Sequence, residues 1–187
     1  MAAVTAPSLG DLTTVPALDR PDLLAPPVAA FLATWAHAGE VGVVEIDPDL
    51  ADTAALVAAH DGLDLASSVN CVLVGGKRAG EQRVAACLVR ADTRADVNNV
   101  VKRTLDVRKA SFLPMEQAVT DSGMEYGGIT PVGIPADWRL LLDARVPDVE
   151  VAVIGSGVRR SKLLLPGHRL ADLPGAAVLT DLANPVD

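Results

Sequence analysis

Ten residues, Tyr126 to Pro135 (YGGITPVGIP), hold three glycines and two prolines and cannot continue a helix or a regular strand. They must form a shaped loop. Gly127 and Gly128 allow positive φ and let a ligand approach the main chain, while Pro131 and Pro135 fix φ and remove donors, so the remaining N–H groups point in set directions. Loops of this kind bind anions or position water, and equally serve as rigid turns.

The rest of the chain has to supply a frame for that loop. With 187 residues, 50% hydrophobic and 21% charged, it suits one globular domain with a full core. Aromatics are only 3%, so the core is built from Val, Leu, Ala and Ile, and the β-branched share favours a sheet with helices packed against it. No apolar run reaches the roughly 18 residues of a membrane span, and the start lacks the basic and apolar blocks of a secretion signal. The expectation is a soluble cytoplasmic protein with no membrane partner.

Charge is uneven. Residues 1 to 66 carry one basic residue, Arg20, against ten acids, whereas residues 67 to 187 carry fifteen Lys and Arg against fourteen acids. Two basic clusters stand out, Lys102, Arg103, Arg108 and Lys109, then Arg159, Arg160, Lys162 and Arg169. Each reads as a solvated face or, flanking a glycine loop, as a surface for a phosphate-bearing partner. His37, His60 and His168 are scattered and no CxxC occurs, so neither a metal nor another cofactor is expected. Cys71 and Cys87 sit in two apolar runs separated by Gly75 to Gln82, a hairpin pattern; a turn centred on Ala79 would set them opposite one another, and a cytosolic compartment keeps them reduced.

Along the chain, residues 1 to 25 are rich in Pro, Ser, Thr and Asp without apolar period and read as an extended or disordered lead-in to a domain spanning 26 to 187. Pro26 and Pro27 open a helix carrying Val28, Phe31, Leu32 and Trp35, with Gly39 as its stop. Val41 to Ile46 is a strand, and Asp49 or Asp52 caps a helix that Gly62 ends. Ser68 to Val74 and Arg83 to Ala91 are dense enough in apolar residues to be central strands. Thr93 or Asp96 begins a helix with Val97, Val100, Val101 and Leu105 inward; Arg108 to Phe112 is a short strand; Pro114 starts a helix that Gly123 stops. Strands at 138–142, 149–154, 163–165 and 176–179 complete the order.

Three pieces in this order, Asp106 to Phe112 (DVRKASF), the loop itself, and Leu140 to Val146 (LLLDARV) followed by Val151 to Leu165 (VAVIGSGVRRSKLLL), resemble the YbaK-like aminoacyl-tRNA deacylases, which include the editing domain of bacterial prolyl-tRNA synthetases. The resemblance spans about residues 50 to 180, and Gly127-x-x-x-Pro131 matches its G-x-x-x-P signature. It implies a single compact α/β domain with a central mixed sheet flanked by helices, and hydrolysis of a mischarged aminoacyl-tRNA ester without a metal. The implied partners are the tRNA acceptor end, not DNA, and an aminoacyl-tRNA synthetase. By the same resemblance the backbone of Gly127, Gly128 and Pro131 would hold water and carbonyl. Tyr126, Thr130, Asp143, Gly155, Ser156 and Gly157 would line the pocket, and Arg108, Lys109 and Arg159 would meet the nucleic acid.

One position departs from that pattern. Many members place a lysine in the first hairpin strand, where this chain has Asn70. A missing charge-assisted contact is worth roughly 1.5 to 3 kcal/mol, although an amide still bonds a ribose hydroxyl or phosphate oxygen. Asn70 thus reads either as a substrate contact or as a polar residue at a strand irregularity. The activity correspondingly reads as trans-editing hydrolysis or as a binding module for a nucleotide-like or aminoacyl ligand. Ser156 has no His at a partner position, which argues against a serine nucleophile.

Overall fold

In chain order the elements are β1 (Val15–Pro16), α1 (Pro26–Leu32), β2 (Gly42–Glu45), α2 (Thr53–Ala59), β3 (Val69–Arg78), β4 (Glu81–Arg90), β5 (Thr93–Ala95), α3 (Lys102–Leu105), β6 (Ala110–Phe112), α4 (Met115–Ser122), β7 (Arg139–Asp143), β8 (Ala152–Gly155), β9 (Ser161–Leu165), β10 (Ala176–Leu179) and β11 (Ala183–Pro185). The computed structural model describes residues 6–186. A five-stranded mixed sheet has the order β10-β7-β4-β3-β6, with β4 and β10 both parallel to β7. A four-stranded antiparallel sheet runs β1-β2-β9-β8, and β5 with β11 form a two-stranded ribbon. The α/β fold with a mixed sheet is as expected from the resemblance; the second sheet adds to it.

The long hairpin turns at Ala79 and Gly80, whose φ values of 51° and 85° are the left-handed pair of a two-residue connection. That turn sets the register, Cys71 opposite Leu88 and Val72 opposite Cys87. The turn is centred half a residue beyond Ala79, and the one-residue offset sends the thiols to opposite faces. Cys71 packs with the core between the sheets and Cys87 with Val74, Val89 and Val101 on the other face, and both are free thiols.

Local signals set the helix ends. The Asp52 carboxylate accepts from the Ala54 and Ala55 N–H groups, and Asp96 accepts from Asn99 N–H before a π-helical turn that continues into α3. Gly123, at φ 67°, ends α4. Helix α1 stops at Leu32, short of Gly39, where Trp35 lies against Phe31 and His37 instead of extending the helical stripe.

The lead-in expectation is corrected. Residues 1–5 lie outside the described residues, but 6–25 are built into the domain: β1 pairs with β2, and Leu12, Ala17, Leu23, Leu24 and Ala25 are buried. Ala25 N–H donates to Ser156 O at 3.2 Å, and Ser161 Oγ to Leu23 O at 2.6 Å. Spaced apolar residues in irregular backbone carry no period, so composition alone resembles free chain.

Candidate active site

Strand β6 covers only Val74 to Gly76 of β3, leaving Val69 to Leu73 with β4 on one side and no strand on the other. Strand β8 is likewise the outer strand of its sheet. A single parallel bridge, Ser68 to Val153, tacks the two edges together, with Val153 N–H donating to Ser67 O at 2.9 Å. Beside this junction a cavity of about 500 Å³ is lined by residues 68–73 of the first sheet and 153–155 of the second. The start of α2 and the glycine loop close its sides.

The loop is held by backbone against backbone. Gly128 N–H donates to Glu125 O at 2.9 Å, and its carbonyl accepts from Gly157 N–H at 2.7 Å. Gly127 takes φ 86°, lines the cavity, and makes no N–H hydrogen bond among the described residues. Arg159 straps across this peptide, its guanidinium donating to Tyr126 O at 3.3 Å and Pro48 O at 3.0 Å, while Glu125 accepts from its backbone N–H at 2.6 Å.

Of the site residues that the resemblance implied, together with Asn70, the cavity is lined by Asn70, Tyr126, Gly127, Gly155 and Arg159, and not by the others. Gly128 is buried against Val158, whose backbone a Cβ at 128 would meet at 2.7 Å. Thr130 and Pro131 are buried members of the loop, and the Thr130 hydroxyl has no partner among the described residues. Ser156 Oγ is enclosed in a network with Ser161 Oγ, Ser161 O and Val158 O, so the Gly-Ser-Gly turn ties strands rather than presenting a nucleophile. Gly157, at φ 88°, makes room for Ala25. Asp143 is buried elsewhere, accepting from Arg145 N–H and guanidinium and from Ala183 N–H at 3.0 Å. Arg108 and Lys109 are exposed at the far end of β6 from Phe112, which does line the cavity. The second basic cluster is not one face: Arg160 donates to Asp22 O, Arg169 pairs with Glu40 and Asp172, and Lys162 is inside.

Lys162, read from the sequence only as one of a basic cluster, is the cavity residue whose burial that reading did not foresee. It lines the cavity at 7% exposure, and its Nζ donates to Ala51 O at 2.8 Å. Asn70 is tied to the same turn, its Oδ1 accepting from Thr53 Oγ1 at 2.8 Å. A signal existed: in Ser161-Lys162-Leu163-Leu164-Leu165 the lysine precedes an apolar run, and β9, paired on both sides, begins at Ser161.

Burial lowers the Lys162 ammonium from 10.5 to about 8, with Asp52 opposing the fall and Arg159 adding to it. A lysine whose folded value lies below its unfolded one destabilises the fold where it must be charged. The penalty is complete below pH 8 and vanishes as pH rises to the unfolded value. After allowing for the lost bond to Ala51 O, Lys162→Met should therefore be more stable than the parent by about 2 kcal/mol at pH 7. Paired urea titrations should show that gap closing towards pH 10.5; a gap of constant size would contradict a strained buried charge.

Burial, with the neighbouring Cys87, also pushes the Cys71 thiol at the cavity wall well up, and Cys87 to about 12, so neither is a thiolate nucleophile at neutral pH. No histidine lines the cavity. What the site offers is a free backbone donor at a positive-φ glycine, a buried cation, the Asp52 carboxylate, the Arg159 guanidinium and one amide.

Residues 48–173 match the aminoacyl-tRNA editing domain family, more than half of the chain, and the chain belongs to that family. Among solved structures it is similar to a proposed trans-editing enzyme for prolyl tRNA synthetase, with TM-score 0.72 and 22% identity over 86% of this chain and 96% of that one. It is similar also to a scaffold protein from computational grafting of linear epitopes, with TM-score 0.69 and 24% identity over 87% and 97%. A third is the hypothetical protein APE2540, with TM-score 0.62 and 22% identity over 76% and 90%. At these identities the likenesses establish the fold, as the motifs led one to expect. No curated protein matches the chain. Among the described residues no helix is long and apolar enough to cross a membrane.

Proposed function

We propose that this chain hydrolyses the ester bond of mischarged aminoacyl-tRNA in trans, releasing the amino acid and free tRNA. The observation that carries the reading is the unpaired Gly127 N–H at positive φ on the wall of a cavity between two sheet edges. In the reaction, water adds to the ester carbonyl carbon, the bond to the ribose oxygen breaks, and that oxygen takes a proton. A fixed backbone donor beside the carbonyl stabilises the charge that builds on its oxygen, without reorganising.

Room for the nucleoside end is consistent with this. Phe31, Trp35 and Trp138 pack on the core, whereas Phe112 and Tyr126, 63% and 56% exposed, stand at the cavity. Exposed aromatics beside a cavity suit stacking of unpaired bases, worth about 1 to 3 kcal/mol per base. A synthetase that releases mischarged tRNA is the source of substrate, which places the protein with the cytoplasmic pool of charged tRNA.

Incubation with a panel of correctly and incorrectly charged tRNAs should show ester loss above the spontaneous rate for at least one mischarged species. If none is hydrolysed while an aminoacyl-adenosine analogue still binds, the chain is a binding module rather than an enzyme.

A further inference from the structure

Among the described residues Lys162 is the one buried cation, and its charge has no ion-pair partner there. Its ammonium makes a single hydrogen bond among the described residues, to the Ala51 carbonyl, and forms no ion pair, while the partly buried arginines, such as Arg90 and Arg169, each meet a carboxylate. An ammonium has three donors, so two remain for something else. The charged groups that act on it are Asp52, whose carboxylate already accepts from the Ala54 and Ala55 N–H groups, and Arg159, of like charge. A buried ammonium held this way is costly unless a ligand completes it. Asn70, tied two residues along the same turn, brings an amide to the same cavity without adding charge.

We infer that Lys162 is an anion-receiving residue of the cavity: it takes an anionic oxygen of the ligand, so substrates are selected for a negative charge on the group that meets it. This rests on the cavity being the substrate site, as in the deacylase reading, but not on hydrolysis occurring there. Two sources supply such an oxygen, the phosphate of the terminal nucleotide and a carboxylate side chain on the amino acid. At the lysine both would replace the missing counter-charge and occupy free ammonium donors.

Calorimetry at pH 7 with two matched pairs separates them. One pair is adenosine and AMP; the other is the non-hydrolysable amide analogues of asparaginyl- and aspartyl-adenosine. The full chain should bind the charged member of at least one pair roughly tenfold or more tightly, the scale of one charge-assisted hydrogen bond. The pair that responds identifies the source. The preference should vanish in Lys162→Met and in Lys162→Gln, the second variant standing in should the first not fold, and persist in Lys162→Arg. Equal affinity within both pairs for the parent protein would overturn the inference, as would a preference that survives removal of the lysine. A lysine-dependent preference without any deacylation of charged tRNA would sustain it while removing the hydrolytic reading.

Discussion

Valine at Gly128 or Gly155 is expected to unseat the glycine loop and to abolish deacylation. A Cβ at Gly155 would lie 2.4 Å from Gly128 O and 2.7 Å from Ile129 O, and one at Gly128 would lie within 2.9 Å of three backbone atoms of Val158. The obstructing atoms are main chain on both sides, so no rotamer change relieves the overlap. Overpacking of this kind costs about 3 kcal/mol, which for a chain of this length is roughly 6 to 12 °C in Tm. Gly127→Ala should behave differently. The Cβ would meet the Arg159 Nη1 at 2.5 Å, the end of a flexible side chain that can move, leaving mainly a left-handed backbone cost of about 1 to 2 kcal/mol. Its deacylation should nonetheless fall at least tenfold, because the methyl and the displaced guanidinium enter the space beside the free N–H. Melting curves and initial rates on the same preparations check both halves; an unshifted Tm for Gly155→Val would show that the loop is not clamped as described.

Asp143→Ala is expected to lower stability by about 3 kcal/mol while leaving kcat/KM per folded molecule unchanged. The carboxylate is fully buried and accepts from the Arg145 N–H and guanidinium and from Ala183 N–H, which joins the end of β7 to β11. Its removal orphans an interior N–H and frees an arginine. The resemblance placed this acid at the pocket, and the structure places it outside the cavity lining. Chemical denaturation alongside deacylation decides between the two, since a variant of native stability but reduced kcat/KM would return Asp143 to the site.

Where local chemistry decided the outcome, it was legible along the chain. Asp52 caps α2 through hydrogen bonds to residues two and three positions on, and Gly123 ends α4 because a left-handed residue costs glycine least. The positive φ of Gly127 belongs to this group, as does the long hairpin, whose two dense apolar runs and glycine-bearing connection mark it in the sequence. The boundaries of β9 and the order in residues 6–25 were not legible, because burial there comes from partners distant in sequence: Ser161 reaches Leu23, and Leu12 packs with Ile46 and Leu164.

The candidate site divides the same way. A G-x-x-x-P loop with its glycines at fixed spacing is a property of neighbouring residues, and the sequence by itself determined that a shaped loop stands between α4 and β7 and that the chain resembles aminoacyl-tRNA editing domains. Which glycine faces the ligand and which only packs was decided by tertiary structure, since Gly127 meets a side chain and Gly128 the backbone of Val158. Tertiary structure alone also sorted the cations. Lys162 and Arg159 reach the cavity while Arg160 and Arg169 are drawn to Asp22 and to Glu40. Proximity in sequence brings like charges together along the chain, but Arg159 and Arg160 stand in the turn before β9, Lys162 on that strand and Arg169 in the helical turn after it, and these positions send them to different partners. A buried lysine becomes recognisable only when the elements that enclose it are in place.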